Sequence, residues 1–150
     1  MKPKDEVLFH TITKKLRDDE KIKRMKEYMQ HGRVSTFEHV ERVARTAFRI
    51  DKFFHFKSKE KELLRGAYLH DYFLYDWHHH DGPLHGPYHP KAALKNALKD
   101  FKDLTDREKN IIESHMWPLN ITRIPKCREA VIVCVADKIV SIKETLFMRR

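Results

Sequence analysis

Ala130-Val131-Ile132-Val133-Cys134-Val135-Ala136-Asp137 is the stretch on which the fold class turns. Its β-branched residues would suit a buried strand, but the chain offers no second strand-like run to pair with it. The run therefore reads as a buried helix that continues through Ile139, Val140, Ile142 and Leu146, and it carries the Asp137 carboxylate inside the most apolar segment of the sequence. Around it only 4 Gly and 6 Pro occur, and long stretches mix Leu, Ala, Lys, Glu and Arg, a composition that favours helix over turn-rich β architecture. The fold class is all-α, with about six to seven helices.

Upstream of that run, Thr105-Asp106-Arg107-Glu108 has the form of a capping box and opens a helix through Ile111 and Ile112 that ends at His115. Pro118 and Pro125 then bracket an irregular stretch. Pro90 suits the first turn of a helix that buries Ala93, Leu94, Ala97, Leu98 and Phe101. The segment from Tyr75 to Pro90 reads as a loop by its Gly and Pro content and holds five of the 11 histidines. Ser58 begins a helix with Leu63, Leu64, Ala67, Tyr68 and Leu74 as its apolar stripe, and His70 and Asp71 fall on or beside that stripe. Ser35-Thr36-Phe37-Glu38 is a second capping box. Its helix runs through Val40, Val43, Ala44, Ala47, Phe48 and Phe54, with His39 one turn before Val43 on the inward face. Asp5 to Gln30 gives one or two helices, stopped by His31-Gly32. At 150 residues the chain fits one domain, 1–150, with residues 1–30 as an N-terminal helical segment.

Net charge is +9, from 31 Lys and Arg against 22 Asp and Glu. Such a balance attracts polyanions, and it serves either as a solvated surface or to steer phosphorylated substrates or nucleic acid toward a site. Cys127 and Cys134 are too few for a disulfide framework and lack zinc-finger spacing, so both are expected reduced and structural. Met1-Lys2-Pro3-Lys4-Asp5-Glu6 has no apolar signal core and no window approaches a membrane span, which makes the cytoplasm the expected compartment and leaves no membrane partner.

Burying an ionised carboxylate and several imidazoles is expensive unless they are paired, hydrogen-bonded or bound to a cation. Imidazole nitrogen with carboxylate oxygen suits Zn, Fe, Mn, Co or Ni, and adjacent His70-Asp71 offers two ligands to one or two ions. His39 at a helix start, His70-Asp71 some thirty residues on, and Asp137 in a late apolar helix together resemble the HD-domain superfamily of metal-dependent phosphohydrolases. The resemblance spans residues 31–146, which form the metal-binding core. Ser35-Thr36-Phe37-Glu38-His39 opens the first ligand helix, and Ala67-Tyr68-Leu69-His70-Asp71 resembles the family's small-x-x-His-Asp helix.

That resemblance implies an all-helical bundle with a mono- or dinuclear centre of divalent transition metal, His39, His70, Asp71 and Asp137 holding one ion. Dinuclear members carry two further histidines, and His89-Pro90 and His115 match their positions. A second ion would then lie among Asp71, His89 and His115, bridged by Asp71. His85 competes with His89, while His78, His79 and His80 read as solvent-facing loop residues. The implied chemistry is hydrolysis of a phosphoester by a metal-activated water, with Asp71 and His70 as its catalytic residues and no Ser or Cys nucleophile. Lys138, Arg42 and Lys91 are candidates to pair with a substrate phosphate. Trp77, Tyr88 and Trp117 are candidates to stack on a nucleobase. Met116-Trp117-Pro118-Leu119 replaces the Gly-Tyr-Pro signature of cyclic di-GMP phosphodiesterases, and Tyr72-Phe73-Leu74 replaces their Ile-Gly-Lys, which argues against that substrate. The expected partner is a small phosphorylated molecule, a nucleotide among the candidates, with nucleic acid ranked below it. Two other readings stand beside hydrolysis: a di-iron oxygenase of the HD-like type, and a non-catalytic nucleotide- or RNA-binding module with a structural metal.

Overall fold

The structure, a computed structural model, describes residues 1–31, 34–72 and 85–147, and their side chains except at 30–31 and 85–89. Helix α1 (Pro3–Asp18) starts on a proline at its first position, where a missing N–H costs nothing. Asp19 ends it and caps α2 (Glu20–Lys23), its carboxylate accepting from the Lys21 and Ile22 N–H groups, and a 3-10 turn over Arg24–Glu27 follows. Met29–His31 (β1) and Val34–Ser35 (β2) then pair as an antiparallel ribbon that the sequence patterns do not announce, since segments of three and two residues are too short to show a period. Gly32, the expected helix stop, lies outside the described residues.

Both capping boxes form as expected. The Ser35 hydroxyl accepts from the Glu38 N–H while the Glu38 carboxylate accepts from the Ser35 N–H, opening α3 (Thr36–Phe54). The next helix, α4 (Glu60–Leu69), starts two residues later than Ser58, and the N–H groups ahead of it bond to other helices. Ser58 donates to Asp51 at 3.1 Å and Lys59 to Glu129 at 2.8 Å. Helix α5 (His85–Asp100) begins five residues ahead of Pro90, so the expected loop is shorter at that end. Thr105 and Glu108 repeat the reciprocal cap at the head of α6 (Asp106–Ser114). The deciding apolar run is helical, within α7 (Arg128–Phe147).

Helix α3 packs on α4 and α7, α4 on α6, and α6 on α7, so these four close a ring around one core. Val40, Val43, Ala44, Ala47 and Phe48 of α3, Leu63, Leu64 and Ala67 of α4, Ile111 and Ile112 of α6, and Val133 and Ala136 of α7 form that core. Helix α4 approaches α6 so closely that a side chain at Gly66 would overlap Ile111. Helix α1 lies on α3 and α4, and α5 on α6. Some expected core positions face out. Phe54 and Leu98 are exposed, and α7 is not buried all round, with Val131, Val135, Ile142 and Leu146 on an open face. Cys127 and Cys134 are unbridged. Among the described residues, no helix is long and apolar enough to cross a membrane.

Candidate metal centre

The four helices of the ring bring five donor groups together at one site, one each from α3, α6 and α7 and two from the end of α4. His70 and His115 reach it by the same local device. Each is the residue that ends its helix, α4 and α6 respectively. A helix C-terminus leaves carbonyls without backbone partners, and each imidazole satisfies one of them. His70 Nδ1–H donates to the Ala67 carbonyl at 2.6 Å, and His115 Nδ1–H to the Ile112 carbonyl at 2.7 Å. Because a carbonyl can only accept, both rings carry their proton on Nδ1, and Nε2 is left to point onward from the helix end. The negative poles of two helix dipoles converge with them, a field that favours a cation.

His39, in the first turns of α3, places Nε2 at 3.0 Å from Asp137 Oδ1 and 3.2 Å from Asp71 Oδ2. His70 Nε2 lies 3.3 Å from the same Asp71 oxygen and 3.4 Å from the same Asp137 oxygen. His115 Nε2 approaches the other Asp71 oxygen, Oδ1, at 3.3 Å. All five residues are buried. One ligand atom from each of His39, His70, Asp71 and Asp137 lies within 4.8 Å of all the others.

These separations fit a cation. Bonds of about 2.1 Å put neighbouring donors about 3.0 Å apart in an octahedron and about 3.4 Å apart in a tetrahedron, the span of the imidazole–carboxylate contacts here. His70 Nε2, fully buried beside two carboxylate oxygens, closes no hydrogen bond, which is an orphaned donor set unless a proton or a metal sits among them. The charge fits as well: three neutral imidazoles and the Asp71 and Asp137 carboxylates balance one divalent ion.

Electrostatics without a metal point the same way. Burial opposes protonation of His39, yet its hydrogen bonds to Asp137, Asp71 and Glu144 outweigh it and hold its pKa well above the ordinary imidazole value. At His70 burial is likewise outweighed, by the charge of Asp71 and the contacts with Asp137, and the pKa is pushed up to about 10. Burial would raise Asp137, but His39 and His70 hold it far below the usual carboxylate range. Burial dominates at His115 and lowers its pKa, leaving a neutral imidazole. The pocket therefore attracts positive charge.

Of the other residues singled out from the sequence, Arg42 pairs with Glu144 at 3.0 Å and Glu38 at 3.5 Å. Lys138 donates to the His115 carbonyl at 3.3 Å and touches Cys134. Lys91 lines a cavity of about 310 Å³ with Lys95, Leu98, Glu113 and Arg123. Trp117 is partly exposed. The side chains of His85, Tyr88 and His89, and the whole of Trp77, His78, His79 and His80, lie outside the described residues. Two residues that the sequence patterns pass over also reach the site. Ser141 Oγ–H donates to Asp137 at 3.3 Å, and Glu144 Oε1 lies 2.7 Å from His39 Nδ1. Their positions four and seven residues after Asp137 on α7 share its face, the one signal in the sequence that could have found them.

Neither the curated proteins nor the solved structures compared with the chain include a match. A family model described as "HD domain" matches residues 36–141, from the first capping box to the last ligand helix. That match covers more than half of the chain and every described donor of the centre, and the chain belongs to the HD domain family.

Proposed function

We propose that the protein is a metal-dependent hydrolase of phosphoesters with a dinuclear centre bridged by Asp71. The observation that carries this reading is the division of the Asp71 carboxylate: Oδ2 faces His39 and His70, while Oδ1 faces His115. A carboxylate with separate donor sets on its two oxygens is arranged as a bridge, and metal-dependent phosphohydrolysis is the chemistry typical of the family. His89 would complete the second set. Bound divalent ions would lower the pKa of a coordinated water toward neutrality and neutralise charge on the phosphoryl oxygens. The protein supplies the rest. His70 and His115 are held by bonds to their own helices, so neither ring has to reorganise during turnover, and the burial of the donors keeps bulk water from competing. Lys91 and Lys95 beside the cavity on α5 present cations suited to an anionic substrate, while Arg123 on the same cavity pairs with Glu113 at 3.4 Å.

Metal analysis of the purified protein, followed by a nucleotide and phosphoester panel with Mn, Co and Ni, tests this. Turnover should vanish in Asp71→Ala, and His115→Ala should reduce bound metal from about two ions to about one. Absence of metal from the purified protein, with no uptake of Mn, Co, Ni, Zn or Fe, would overturn the reading. Dioxygen-dependent turnover on iron would replace it with the oxygenase, and metal without turnover on any substrate with the binding module.

A further inference from the structure

Glu144 is fully buried on α7, outside the ligand set. One of its oxygens lies 2.7 Å from His39 Nδ1 and the other 3.0 Å from the Arg42 guanidinium. Removing a carboxylate from water costs several kcal/mol, and an apolar side chain of similar volume commonly serves a helix interface as well or better. The pair with the partly exposed Arg42 is by itself a weak reason for an acid buried this completely.

His39 gives a stronger one. His70 and His115 fix their tautomers by donating to carbonyls that the ends of their own helices leave free. His39 sits at the opposite end of its helix, where the free backbone groups are N–H donors and the nearby carbonyls are engaged in i to i+4 bonds. No acceptor is available within α3, so one must come from another element. Helix α7, which already carries Asp137, supplies it.

We propose that Glu144 is a positioning residue of the metal centre. Its carboxylate accepts the His39 Nδ1–H, fixes the tautomer whose Nε2 faces Asp71 and Asp137, and makes that nitrogen a stronger donor to a cation. Arg42, partly exposed and shared with Glu38, carries the counter-charge. The role rests on the metal centre proposed above.

Co(II) titration of the full chain, with the visible Co(II) absorption and the melting temperature of the metal-free protein, tests it in Glu144→Gln and Glu144→Leu. Glu144→Leu should weaken Co(II) binding by about 10- to 100-fold and shift the absorption bands, and it should also lower the metal-free melting temperature, because it leaves the buried His39 Nδ1–H without its acceptor. Glu144→Gln keeps an acceptor oxygen without the charge and should fall between. Should the leucine variant not fold, the glutamine variant decides by the same readings. Wild-type affinity and wild-type absorption bands in the folded variants would overturn the role of Glu144 alone. A wild-type protein that takes up no cation would overturn the metal centre and this role with it.

Discussion

At His70 a single bond restricts what the other nitrogen can do. With Nδ1–H committed to the Ala67 carbonyl, Nε2 faces carboxylate oxygens and requires either a proton or a metal. The two compete, which sets a pH dependence. The pKa of His70 is raised to about 10 and that of His39 well above the ordinary value, so both are protonated through neutral pH in the metal-free protein. His115, lowered by burial, is already neutral. Metal binding should therefore release about two protons, and its affinity should fall as the pH is lowered, by up to about 100-fold per unit below the raised pKa values. Calorimetric titration in buffers of different ionisation enthalpy counts the protons, and an affinity constant across pH 6.5 to 8.5 would contradict the proton–metal competition. The four residues of the main cluster were legible in the sequence because imidazoles and carboxylates on apolar stripes are chemically out of place. Glu144 was not, because it stands in a polar-looking Lys143-Glu144 pair near a helix end, and only the packing of α7 against α3 turns it inward.

At the scale of elements, the contact between α4 and α6 decides how His70 and His115 meet, and Gly66 sets that contact. Alanine is the better helix former by about 1 kcal/mol, so propensity alone predicts that Gly66→Ala stabilises the protein. The structure predicts the reverse. The added methyl would overlap Ile111 Cδ1, and overpacking of this kind typically costs about 1–3 kcal/mol. Chemical denaturation should show a lower midpoint for Gly66→Ala at unchanged m-value, and Ile111→Val, which removes the nearest atom, should recover part of the loss when combined with it. An increased midpoint in the single variant would refute the close approach. The same helices show why the fold class was readable and some boundaries were not. Both capping boxes are local exchanges between residues three apart, so their signature survives in the sequence. The start of α4 depends on Asp51 and Glu129, which belong to other helices, and no local pattern announces it. Helix α7 is apolar on nearly every side, so its composition suggested burial all round, whereas the ring covers only one face.

For the whole molecule, the centre joins four helices that are far apart in sequence: α3, the ends of α4 and α6, and α7. A cation bound there would tie the ring together without being the source of the fold, because Val40, Phe48, Leu63, Leu64, Ile112 and Val133 form an apolar core apart from the donors. Removal of metal should thus destabilise without unfolding. Metal at about 100 times its dissociation constant contributes about 2.7 kcal/mol by mass action if the unfolded chain binds none. For a chain of this size that corresponds to about 5–10 °C in melting temperature. A chelator should lower the melting temperature of the loaded protein by that amount while the far-ultraviolet circular dichroism at 25 °C stays helical, and added Co(II) or Mn(II) should restore it. Asp137→Ala should remove most of this metal-dependent shift, because it deletes the one donor that α7 contributes. A metal-free protein without helical signal would show that the cation, and not the apolar core, assembles the ring. A loaded protein whose melting is indifferent to the chelator would show that the cation does not tie the helices at all.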